Sequence, residues 1–118
     1  MAQDLVLREQ ACDDFVGYAT IPISFLVDRV FRVDLPAPES GMVQLDEVPC
    51  IPHWKDYDEE DGNAPTDWPA RLDTSNWRIF SAWSGEKRLG GIVVVHDSPT
   101  IDMLEGRDDI AVLWDVRV

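Results

Sequence analysis

Hydrophobic and polar positions alternate along most of this chain, and the alternation falls into about six runs. "DLVLREQ" (Asp4 to Gln10) alternates weakly and predicts a first strand. "ACDDFVGYA" predicts a short helix, which Pro22 stops or precedes. "FLVDRVFRVDL" predicts a stronger strand. Phe25, Val27, Phe31, Val33 and Leu35 share one face, interrupted by Arg29, while Asp28, Arg32 and Asp34 take the other. "PAPESG" is turn chemistry, so "MVQLDEV" returns as the hairpin partner. "WRIFSAW", "SGEK" and "RLGGIVVV" together form the clearest hairpin. The last run is "IAVLWDVRV". Ile110, Val112, Trp114, Val116 and Val118 fall on one side and Ala111 and Leu113 lead the other, which predicts a strand buried on both faces.

Two stretches do not alternate. Pro49 to Asn76 is dominated by proline, glycine and acids and reads as a long loop, yet it holds Trp54, Tyr57 and Trp68. A loop of that length inside a small domain is usually functional or disordered, and the aromatics argue that it packs against something. "HDSPTIDMLEGRDD" reads as a second loop with one helical turn around Ile101 to Leu104. The expected fold class is α+β: a mainly antiparallel β-sheet with little helix, in a single domain over residues 1–118.

Composition narrows the function classes. The net charge of -13 argues against a sequence-independent grip on nucleic acid and against an anionic membrane surface. It suits a small cationic ligand or simply high solubility, and the second is the commoner reason. "MAQD" lacks the features of a signal peptide, and no apolar stretch approaches the length of a membrane span. Cys12 and Cys50 have no metal or redox spacing and read as a reduced pair, so the expected location is cytoplasmic.

Few residues carry a catalytic signature. "DYDEEDG" puts Asp56, Asp58 and Glu60 at alternate positions like calcium ligands, but Asp61 and Asp67 stand where the glycine and the glutamate belong. A solvated acidic loop is the stronger reading, and no metal site is expected. His53 and His96 lack ligands at helical spacing, and Ser81 and Ser84 lack a nucleophile elbow. Gly90-Gly91 lies inside a strand, where it marks a bulge or a close backbone approach rather than a phosphate cradle. Asp115 is different, because an unpaired carboxylate in an apolar strand is costly. Either Arg117 or Arg88 partners it, or it faces a partly open surface, or it is poised in a cleft as a base or substrate anchor. Asp102 and Glu105, in "IDMLEG", belong to the same acidic mouth or are surface charges.

"KRLGGIVVVHDSP" followed by "DDIAVLWDVRV" resembles the middle of a GNAT-superfamily N-acetyltransferase, where a "vGg…v" hairpin leads into the family's fourth strand. "FRVD" with its turn, "CIPHWKDYD" and "LDTSNWRIFSAW" are similar to the upstream strands of streptothricin-type and related bacterial acetyltransferases. The resemblance implies acetyl-CoA as cofactor and a small amine as substrate. It places Val116, Arg117 and Val118 where the strand backbone bonds the acetyl carbonyl and the pantetheine arm, and makes Asp115 the candidate base. Trp54, Tyr57, Asp102 and Glu105 become substrate-wall residues.

In that family the fourth strand runs into a glycine-containing loop at a helix N-terminus, which binds the pyrophosphate. No residue of this sequence matches that loop, so the resemblance is to the N-terminal, substrate-side half of the fold, truncated before it and inactive alone. The competing reading is a non-catalytic binding or assembly module that pairs through its terminal strand as a homodimer or by strand exchange. A third is an unrelated β-rich domain that takes a cationic ligand on its acidic loop.

Overall fold

The computed structural model describes residues 4–118. The chain divides into two compact units: the chain up to Ile23 together with Tyr57–Val118, and Ser24–Asp56.

The larger unit is an antiparallel sheet of four strands, β1 (Val6–Gln10), β4 (Trp77–Ser84), β5 (Lys87–His96) and β6 (Ala111–Arg117), in the order β1-β4-β5-β6. The β4–β5 turn is the expected one, with Gly85 supplying the positive φ that a tight hairpin needs. Two four-residue helices, α1 (Phe15–Tyr18) and α2 (Trp68–Arg71), supply the helical part. Helices so short draw their stability from packing rather than propensity. Asp14 caps α1 by accepting from Gly17 N at 3.0 Å, and Arg88 of β5 pins the cap through Asp14 Oδ2 and Gly17 O.

One face of the sheet carries the core. Trp77, Ile79, Val93 and Val95 alternate inward along β4 and β5 and meet Phe15, Tyr18, Ile21 and Trp68. Aromatic rings form its centre: Trp68 lies edge-on to Phe15 at 5.8 Å, and Trp77 lies 5.1 Å from Trp114. Trp68, expected in a loop, is thus a core residue carried in by α2. A 3-10 turn at Asp102–Leu104 matches the expected helical turn and buries Leu104.

The smaller unit is a hairpin of β2 (Phe25–Asp34) and β3 (Gln44–Lys55), paired antiparallel with an irregularity between Val27 and Arg29. The expected loop therefore begins later than the sequence suggests. Pro49 to Lys55 continue β3 because the strand has a partner on one side only, where proline's missing N–H costs least.

β6 also departs from expectation. Val94 pairs with Leu113 but Val93 with Asp115, so Trp114 is an extra residue and the strand changes phase there. Val112 and Trp114 pack on the core as expected, but Val116 and Val118 are exposed, and Arg117 is buried in their place. β6 stands at the sheet edge, with β5 as its only strand neighbour among the described residues. No helix among the described residues is long and apolar enough to cross a membrane.

Candidate functional site

The phase change in β6 brings Asp115 and Arg117, two residues apart, onto the core face, where they pair. Arg117 Nε donates to Asp115 Oδ2 at 2.8 Å, and its two terminal nitrogens donate to Asp58 at 2.6 and 2.8 Å in a bidentate fork. Its NH1 also donates to Ile21 O at 3.1 Å, and the guanidinium lies 5.0 Å over the Tyr18 ring. Tyr18 completes the network by donating its hydroxyl to Asp115 Oδ2 at 2.6 Å.

Electrostatics follow from that wiring. Burial works against the charge of Arg117, but its bonds to Asp58 and Asp115 outweigh burial and raise its pKa. Burial, reinforced by the hydrogen bond to Asp115, pushes the Tyr18 phenol up, so it stays a donor across the working pH range. Both of these bonds to Asp115 fall on Oδ2.

The expected site residues separate accordingly. Asp115 finds Arg117 as its partner, while Arg88 is committed to Asp14. Tyr57 sits in the 3-10 turn Tyr57–Glu59, so the Arg117–Asp58 fork brings its segment to the end of β6. Asp102 and Glu105 flank the turn after β5, both exposed, and among the described residues no hydrogen bond ties either to Asp115. Trp54, 71% exposed, belongs to the hairpin unit. Asp58 and Tyr18 were missed by the sequence reading. Asp58 was hidden in an acidic run and Tyr18 in a short helix, and only the fold shows that both reach Arg117. Among the described residues, no group of three or more His, Cys, Asp or Glu is arranged to hold a metal ion.

The opposite face of the sheet is apolar. Leu7, Phe80, Ala82, Ile92, Val116 and Val118 line an open apolar groove of about 480 Å³ that crosses all four strands. Neither Gly90 nor Gly91 has room for a side chain. A Cβ on Gly90 would stand 2.8 Å from Arg117 O, and one on Gly91 would stand 2.7 Å from the Tyr18 ring on the core side. This bears out the close-approach reading of Gly90-Gly91, and the β4–β5 register also shifts beside them. The edge strand β6 therefore carries a polar network on one face and an apolar groove on the other.

No family model matches the sequence, and no curated protein does either. Among solved structures, the chain is similar to a "putative streptothricin acetyltransferase from Bacillus anthracis str. Ames in complex with acetyl coenzyme A". The TM-score is 0.51 at 19% identity, covering 98% of this chain and 56% of that one. At that identity the likeness is one of fold, and the chain spans little more than half of that protein's length. The fold is mostly antiparallel with little helix and is similar to that of this acetyltransferase structure.

Proposed function

We propose that this chain forms the substrate-side part of an acetyl-CoA-dependent N-acetyltransferase acting on a small amine. The observation that carries the reading is β6, a strand whose outer edge has no partner among the described residues, beside an apolar groove in a fold similar to that of a protein holding acetyl coenzyme A. Backbone groups at Val116, Arg117 and Val118 on that edge bind the acyl carbonyl, and the groove keeps water from it. When bound, acetyl-CoA supplies an activated thioester. The amine must lose a proton to attack; a C–N bond then forms, the C–S bond breaks, and the thiolate leaves. Asp115, on the face of β6 opposite the groove, is our candidate to take that proton around the strand edge through Oδ1, while Tyr18 and Arg117 hold the carboxylate through Oδ2. Tyr57, Asp102 and Glu105 are our candidates for contact with the amine. The pyrophosphate has no counterpart among the described residues, since the two α-helices are four residues long and both precede β6.

The test is a nuclear magnetic resonance titration with S-acetylpantetheine and with acetyl-CoA, on the wild type and on Val116→Lys. Shifts confined to β6 and the facing part of β5, lost in Val116→Lys, are the expected result. Acetyl-CoA should bind about as tightly as the truncated probe, because no helix N-terminus among the described residues follows β6 to meet the pyrophosphate. Absence of shifts at millimolar probe sinks the reading. The free edge of β6 then favours the second one, an assembly module that pairs through this strand.

A further inference from the structure

The β2–β3 hairpin carries an apolar face that the fold leaves in water. Register pairs Phe31 with Glu47 and Val33 with Leu45, so Arg29, Phe31, Val33, Leu45 and Glu47 share one side. Phe31, Val33 and Leu45 are 64%, 62% and 56% exposed. A two-stranded hairpin is marginal in water, and a second layer on its apolar face is the usual remedy.

Charge decides what that layer is. The two strands hold four acids (Asp28, Asp34, Asp46, Glu47) and three bases (Arg29, Arg32, Lys55), a net of -1 in a chain of -13. A face so nearly neutral meets its own copy with little charge repulsion, whereas an anionic lipid surface is repelled by the chain as a whole. Arg29 and Glu47 lie 3.7 Å apart beside the apolar cluster, one charge of each sign. Under a twofold axis such a pair is self-complementary, because each charge meets its opposite on the other copy.

We infer that this face is a homodimer interface: two hairpins stack face to face, Phe31, Val33 and Leu45 bury against their equivalents, and Arg29 meets the partner's Glu47. The patch is small beside the roughly 800 Å² per partner of a standard interface, so association is weak, in the micromolar range or above. The interface is independent of the acetyltransferase reading, and its test reads mass alone.

Sedimentation velocity from low micromolar to millimolar protein is the experiment. The mass should rise from 13.4 kDa toward twice that value with concentration. Phe31→Lys should abolish the rise; Phe31 is exposed already, so the fold survives, which circular dichroism checks. Arg29→Glu and Glu47→Arg should each weaken association about tenfold, and the double swap should restore it to within about threefold. A monomer at every concentration overturns the inference, as does a dimer that survives Phe31→Lys but is lost in Val116→Lys. Failure of the double swap to restore association also overturns it. So does a monomer that binds neutral phosphatidylcholine vesicles through Phe31, which would make the face a lipid contact.

Discussion

Replacing Arg117 by methionine tests whether the buried network holds the sheet edge in place. Arg117 is 2% exposed, and the substitution keeps much of its volume while removing four hydrogen bonds. It removes the cation that Asp58 and Asp115 share, their side chains 20% and 21% exposed. Removing one partner of a buried ion pair costs about 3–5 kcal/mol, against about 0–1 kcal/mol for a pair on the surface. One-fifth exposure lets water relieve part of the loss, so the expected figure is the lower end, about 3 kcal/mol. For a chain of this size that lowers the urea midpoint by about 2 M. Urea unfolding at pH 7, followed by tryptophan fluorescence, measures it directly, with five tryptophans as reporters. The triple variant Asp58→Asn/Arg117→Met/Asp115→Asn should recover much of the loss, because a matched neutral set often does as well as a buried charged one. A loss below about 1 kcal/mol for the single variant would refute the reasoning, and would mean that solvent satisfies these carboxylates as well as Arg117 does.

Two further predictions concern the rest of the larger unit. Gly91→Ala should destabilise by about 1–3 kcal/mol, because the new methyl meets a buried Tyr18 ring at 2.7 Å and Phe80 O at 2.9 Å. A thermal melt within a degree of wild type would contradict the packing on that side of β5. Glu9 is held below its ordinary value of 4.5 by the Arg78 fork at 2.8 Å. A carboxyl whose folded pKa lies below its unfolded one adds stability above about pH 4.5, lost as pH falls through the folded value. Melts of Arg78→Gln and wild type should therefore converge as pH falls from 6 to 3, and curves that stay parallel would remove the pair from the account.

The legible parts of the fold are those where one local rule acts alone. The β4–β5 hairpin was readable because alternation, β-branched residues and a Ser-Gly turn agree over Trp77 to Val95. The apolar and charged sides of β2 were assigned correctly, since the register keeps Phe31 and Val33 opposite to Arg32 and Asp34. Prolines hid the second half of β3, because they argue against a strand unless it lies at an edge, and edge position is a tertiary fact. β6 was misread past Trp114 for a related reason. One extra residue inverts every following side chain, and nothing in "WDVRV" announces it. Asp115 was singled out as a costly carboxylate and Arg117 offered as one partner, and the structure joins them. Asp58 was one of seven residues in an acidic run, and no local signal distinguishes the one that turns inward.

The hairpin's pairing begins at its base, where Phe25 stands opposite Lys55. Residues so paired lie roughly 5 Å apart at their α-carbons, so the chain leaves and returns at almost the same point. A segment inserted through such a narrow neck can lengthen, shorten or change sequence without asking the host sheet to re-register. None of the described core residues, Phe15, Trp68 and Trp77 among them, comes from Ser24–Asp56. The β2–β3 arm is therefore the part of this protein best suited to diverge between lineages or to be exchanged by an engineer, while β6 and its arginine are the part least able to.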